Sequence, residues 1–212
     1  MDHGSRELAE ALVQCRMLAG RGVGAVVATP HFYAQREASV DDFIARRDAA
    51  WETLSAALGG ALRIHPAAEV LLLRGLENMA GLDRLCIKGT RTILLEMPLG
   101  GFGRPEVETV ERIAALGLTP VIVHIDRYPA ASLALLDESG VAQYQVNAEA
   151  FLGFSRRSAA FRAMAKAGRI AAIGSDLHGT DRRPLRAFTR ALMRLGPAVE
   201  GVMERTRTLL AE

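Results

Sequence analysis

The chain has 212 residues, half of them apolar and 24% charged, which is the composition of one core-forming globular domain running from residue 1 to residue 212. Its formal net charge is only +2, its lysines are Lys88 and Lys166 alone, its arginines are scattered and aromatics make up 5%, so a basic, aromatic-studded nucleic-acid surface is not expected. The longest apolar runs, Gly24 to Pro30 and Pro120 to Ile125, are far too short to span a bilayer, and there is no secretory leader pattern. Two cysteines, Cys15 and Cys86, with no Cys-x-x-Cys, exclude a disulfide scaffold and a structural zinc cluster. These features together predict a cytoplasmic protein.

Periodicity gives an alternation of helices and strands. Leu8, Leu12, Cys15 and Ala19 form the inner stripe of a first helix, with Ser5 as its expected N-cap and Gly20 and Gly22 ending it. Gly24 to Ala28 is a buried strand. Val40, Phe43, Ile44, Trp51, Leu54 and Leu58 mark a second helix, stopped by Gly59-Gly60. One strand is expected around Leu62 to Glu69, then an irregular or short helical stretch, then a strand from Arg91 to Glu96. Pro105 opens a helix with Val107, Val110 and Ile113 inward and Gly117 beyond its end. Pro120 to His124 is an apolar strand, Ala130 to Glu138 a helix, Gln143 to Asn147 a strand and Ser155 to Lys166 a helix. Ile170 to Gly174 is the last strand, followed by helices over Leu185 to Leu195 and Ala198 to Leu210. Apolar strands alternating with helices predict a parallel sheet covered on its faces.

The chemistry-bearing residues fall at strand ends. His31 follows the first strand, Glu69 and Glu96 are expected to close the next two, His124 closes the fourth, and Asp176 and His178 follow the last. In parallel α/β folds these ends share one rim, where catalytic groups gather. A mixed His and carboxylate set without cysteine suits Mn, Fe or Zn in a hydrolytic centre. Other residues carry structural readings. Cys15 and Arg21 have the Cys-x5-Arg spacing of cysteine-based phosphatases, but Cys15 lies mid-helix on the apolar stripe and is expected in the core. His65 lies inside its strand, Arg156-Arg157 and Arg182 are expected on solvated faces, and Gly100 to Gly103 is a loop. Asn147 either caps the following loop or touches substrate. Asp126 is expected as a supporting partner or a surface charge.

The runs Ala28-Thr-Pro-His31, Val121-Ile-Val-His124-Ile-Asp-Arg127-Tyr128, Gln145-Val-Asn147 and Ser175-Asp-Leu-His178, with the Glu69 segment, resemble the polymerase and histidinol phosphatase (PHP) superfamily. More closely, they resemble its bacterial branch of metal-dependent protein-tyrosine phosphatases from capsule and exopolysaccharide loci. The resemblance implies a distorted β/α barrel of parallel strands with outer helices, and about two to three divalent metal ions, Mn2+ first and Fe or Zn as alternatives. It assigns His31 and His178 to one metal, Glu69, Glu96 and His124 to a second, and Asp176 to a remaining one that Glu69 bridges. It assigns Arg127 and Arg183 to the phosphate, which guanidinium groups fit with paired donors. The implied substrate is a phosphotyrosine protein, the tail of a membrane-associated tyrosine kinase of polysaccharide export.

The family opens with Asp-x-His-x-His on its first barrel strand. No His-x-His occurs in this sequence, and Asp2-His3-Gly4 aligns with the end of the loop that follows that strand. The first strand is therefore expected to be missing, with His3 as a candidate metal ligand. Two other functions stay open at this level. One is a PHP phosphatase for a small phosphomonoester such as histidinol phosphate, and the other is an inactive PHP domain that binds a phosphorylated partner.

Overall fold

The computed structural model describes residue 5 and residues 7 to 211; His3 lies outside the described residues. The elements in chain order are helix α1 (Leu8–Ala19), strands β1 (Ala25–Ala28) and β2 (His31–Phe32), helix α2 (Val40–Leu58), and strands β3 (Arg63–Pro66), β4 (Glu69–Leu71) and β5 (Thr92–Glu96). Helix α3 (Arg104–Ala115), strand β6 (Thr119–Ile122), helix α4 (Ala130–Ser139), strand β7 (Gln143–Asn147), helix α5 (Arg156–Lys166), strand β8 (Ala172–Gly174) and helices α6 (Arg183–Leu195) and α7 (Ala198–Leu210) complete it.

All strand pairings are parallel. Strands β2-β4-β5-β6-β7-β8 form a six-stranded sheet whose spatial order follows the chain with β3 left out, and β1 and β3 pair as a separate two-stranded sheet. This monotonic order, with a helix or a long connection between successive strands, is the arrangement that curls a sheet into a barrel rather than opening it as a doubly wound one.

Two details differ from the sequence expectation. Ser5 does not cap α1; the N-cap is Glu7, with no side-chain hydrogen bond. The single strand expected from Leu62 to Glu69 is two strands, β3 and β4, because Ala67 and Ala68 break the pairing just as Thr29 and Pro30 break β1 from β2. The backbone bonds Ala67 N to Ala28 O (2.9 Å) and Glu69 N to Pro30 O (3.0 Å) carry the two chains through the bend side by side. The helix caps follow the sequence more closely. Ser39 and Ser155 cap α2 and α5 through their side chains, and Gly59 ends α2 in the left-handed conformation that glycine adopts without strain.

Alternation along the strands of the six-stranded sheet separates two cores, beside a third formed by Cys15, Leu58, Leu62 and Ile64. Phe32, Val70, Ile93, Leu95, Ile122 and Val146 face the helices and form the main core. Leu94, Val121 and Ala171 point to the concave side, where Leu209 from α7 joins them. Thr92 Oγ1 donates to Leu209 O at 2.9 Å and closes that end. The inward parity of Leu94 is also the parity of Glu96, two residues further on. The site therefore sits directly above a small apolar plug.

Candidate metal centre

His31 and Glu69 are register partners at the first positions of β2 and β4. The expectation that Glu69 closes a strand is thus corrected: it opens β4, immediately after the bend that aims the strand pair across the rim. His31 Nε2 is 3.6 Å from Glu69 Oε1. Glu96 ends β5, and one donor atom from each of His31, Glu69 and Glu96 lies within 4.8 Å of the other two. Glu69 and Glu96 are buried and His31 is half-buried. Burial, and then the nearby negative charge of Glu69, push the Glu96 carboxyl above its ordinary range. Two buried carboxylates that repel one another beside an imidazole fit a divalent cation, which relieves the repulsion and completes the donor set.

His124 reaches the same carboxylate from the other side, with Nε2 at 3.2 Å from Glu69 Oε1. Its backbone is in the left-handed region at φ 54°, two residues past the end of β6. Asp176, at φ 50°, shares this conformation, and apart from Ala211 these are the only non-glycine residues with positive φ among the described residues. Such backbone strain persists where the surroundings over-determine it, as they do at functional sites.

The surroundings of His124 are identifiable. Its backbone N–H donates to Gln145 Oε1 at 2.6 Å. The other end of that amide, Gln145 Nε2, donates to Asn147 Oδ1 at 3.2 Å, and His124 Nδ1 lies 2.9 Å from the same oxygen. An amide oxygen only accepts, so Nδ1 carries a proton and Nε2 is left to face Glu69. Burial lowers the proton affinity of the ring, but the hydrogen bond and charge of Glu69 outweigh it, and the net shift is upward. Asn147 N in turn donates to Asp126 Oδ1 at 2.9 Å, so Asp126 is a supporting partner rather than a surface charge.

Space for the Gln145 amide comes from Gly174 on the adjacent strand. A Cβ at position 174 would stand 2.0 Å from Gln145 Nε2. Gln145 and Gly174 carry no sequence signal of their own that assigns them a role. Only the parallel pairing of β7 and β8 brings them together.

Arg127 lies on the turn that follows His124. Its guanidinium pairs with Asp176 Oδ2 and stands 3.9 Å from Glu96 Oε1, linking β5 to the segment after β8. Arg157 is exposed, as expected, and from that face donates to the carbonyl of Tyr128 and so holds this turn. Tyr128 is fully buried, and its hydroxyl oxygen accepts from Met97 N at 3.0 Å, just past Glu96.

The remaining candidates lie further out. His178 Nδ1 is 3.6 Å from Asp176 Oδ1 and 3.0 Å from Asp176 O, and the ring is substantially exposed. Arg183 opens α6 and binds Asp181 through Nε at 2.7 Å, with its side chain 86% exposed. Cys15 is buried and its thiol is pushed up by burial, as expected of a core residue. His65 lies within β3 and is not part of the His31–Glu69–Glu96 group.

The structure is a curled parallel sheet with outer helices, an α/β fold like that of the PHP type, and His and carboxylate groups that could hold a metal ion converge at its rim. The chain belongs to the CpsB/CapC family of capsular polysaccharide synthesis, whose sequence profile matches residues 1–193. Among solved structures it is similar to YwqE from Bacillus subtilis and CpsB from Streptococcus pneumoniae, described as unique metal-dependent tyrosine phosphatases. That match has a TM-score of 0.81 at 20% sequence identity and covers 100% of this chain and 90% of the other. No protein of curated function matches the sequence.

Proposed function

We propose that this chain is a metal-dependent phosphomonoester hydrolase that dephosphorylates protein phosphotyrosine in capsular or exopolysaccharide synthesis, acting as a single PHP-like domain in the cytoplasm. The observation that carries the reading is the convergence of His31, Glu69, Glu96 and His124 around one carboxylate, with the Arg127 guanidinium beside Glu96. Membership of the capsule-synthesis family and likeness to metal-dependent tyrosine phosphatases support it.

In this reading His31, Glu69, Glu96 and His124 hold divalent metal, Mn2+ by preference over Fe or Zn, and Asp176, His178 and His3 serve a neighbouring position. The metal supplies Lewis-acid polarisation of the phosphoryl oxygens and acidification of water. Arg127 grips the phosphate through paired N–H donors, with Arg183 as the second guanidinium. Asn147 holds the His124 proton at Nδ1 and so keeps Nε2 as the donor. Tyrosine phenolate, with a pKa of about 10, departs with little help from a general acid. The proposed partner is the tyrosine-bearing tail of a membrane-associated kinase of polysaccharide export.

The test is phosphate release from matched phosphotyrosine and phosphoserine peptides and from histidinol phosphate, in the presence of Mn2+. The phosphotyrosine peptide should be preferred by at least about tenfold in kcat/KM, or about 1.4 kcal/mol of transition-state discrimination. Preference for histidinol phosphate would replace the protein substrate by a small phosphomonoester.

A further inference from the structure

Helix α6 presents two unlike faces. Leu185, Ala187, Ala191 and Leu195 are buried, while Arg183, Arg186, Arg190 and Arg194 recur on the exposed side at helical spacing, and the helix contains no acidic residue. This stripe borders two adjoining pockets of about 440 and 370 Å3, joined through Leu152 and Arg190. Phe154 and Met193 give the larger pocket an apolar wall, and they are 92% and 77% exposed. Arg194 lies over the Phe154 ring at 5.2 Å. Arg186 and Arg190 form no salt bridge among the described residues. Among the described lining residues Glu149 alone is acidic, and Asp181 sits at the start of the stripe, bonded to Arg183 and within electrostatic reach of Arg186.

We propose that this groove docks an acidic peptide segment, bearing an aromatic or aliphatic residue, that flanks the phosphotyrosine of the substrate protein. The proposal rests on the phosphatase reading for the word substrate, and on the groove alone for the chemistry of the segment. The guanidinium groups of Arg186 and Arg190, which form no salt bridge among the described residues, stand beside exposed Phe and Met surface and match carboxylates interleaved with an apolar side chain. The dimensions agree. Arg183 to Arg194 covers about 16 Å along the helix, at 1.5 Å per residue, which an extended segment of about five residues spans. With one aromatic ring the groove offers no stacking platform for successive bases. It also starts where the site ends, since α6 begins five residues after His178.

The experiment measures binding and turnover separately. Fluorescence anisotropy uses a labelled, unphosphorylated peptide with a Tyr between Glu pairs and a terminal Phe, compared with the same peptide carrying Gln for Glu. The Glu peptide should bind at least about tenfold more tightly at low salt and lose that advantage as salt screens the charges. The double variant Arg186→Glu/Arg190→Glu should lose about tenfold or more for the Glu peptide and gain affinity for a Lys-flanked one, an exchange that a misfolded variant cannot produce. For the phosphorylated Glu peptide the variant should show a raised KM and an unchanged kcat, with p-nitrophenyl phosphate turnover untouched. Equal binding of the Glu and Gln peptides would overturn the proposal. So would tighter binding of anionic vesicles or duplex DNA that the same substitutions abolish. Charge-dependent peptide binding without any p-nitrophenyl phosphate hydrolysis would leave the groove standing and remove the phosphatase reading instead.

Discussion

The ring of His124 and the amide of Asn147 meet at 2.9 Å, Nδ1 against Oδ1, and this contact decides which nitrogen of the imidazole faces Glu69. The partner that orients a histidine ligand commonly matters to metal affinity by 10- to 100-fold. Asn147→Leu should therefore weaken metal binding by about that factor, and Asn147→Asp should retain most of it. Chelator competition measures the affinity.

Gly174 tests the same network from the neighbouring strand. A methyl group at 174 has no room unless the Gln145 amide moves, so Gly174→Ala should cost about 1–3 kcal/mol of stability, as overpacking does. Urea unfolding gives the number. Adding Gln145→Ala to the Gly174→Ala background should recover part of the loss, because the collision partner is gone. A Gly174→Ala protein as stable as the wild type would show that Gln145 has another conformation of equal energy.

Glu96 should reveal a conflict between stability and function. Its folded carboxyl is held above the unfolded value by burial and by Glu69. A raised carboxyl pKa favours folding below the unfolded value and loses that advantage as pH rises through the folded one. At neutral pH the ionised pair therefore opposes folding of the metal-free protein. Glu96→Gln should raise the Tm of the metal-free form by ~2–4 °C, the shift that 1 kcal/mol produces in a domain of this size. The same variant should lose the Tm increase that Mn2+ gives the wild type. Differential scanning calorimetry with and without Mn2+ reads both effects.

Cys86 predicts the alkaline limit. Burial pushes its thiol up to about 11 from an ordinary 9.0. Below the unfolded pKa both states hold the proton, and above it only the unfolded chain ionises. Stability should therefore fall between about pH 9 and pH 11, by about 2–3 kcal/mol from this group at 1.4 kcal/mol per pKa unit. Cys86→Ala should show a shallower decline, measured by urea unfolding at each pH. At neutral pH neither Cys86 nor Cys15 should react with iodoacetamide on the timescale of the unfolded protein.

The helix positions, most of the strands and the placement of Glu96 and His124 at or just past strand ends were legible in the sequence, because local periodicity marks each element. Val107, Val110 and Ile113 all face the core of α3 as their spacing requires. The break at Ala67-Ala68 was not legible, since small apolar residues fit a strand and a bend equally well. The partnership of Gln145 with His124 and Gly174 was hidden for a different reason. It depends on register between strands that are far apart in the chain, and no spacing within one segment encodes it. Arg157 is exposed as expected, but its hold on the turn was not legible, because its partners Ile125 and Tyr128 offer backbone carbonyls rather than an acidic side chain.

The most direct measurement is phosphate release from a phosphotyrosine peptide by chelator-stripped protein, followed as Mn2+ is titrated back while bound metal is counted. Release should be absent from the stripped protein and return in proportion to the metal bound. Glu69→Gln should bind less metal and recover at least about 100-fold less activity, because Glu69 touches both His31 and His124. Undiminished release by the stripped protein, or by Glu69→Gln at the same metal content, would contradict a metal centre built on His31, Glu69, Glu96 and His124.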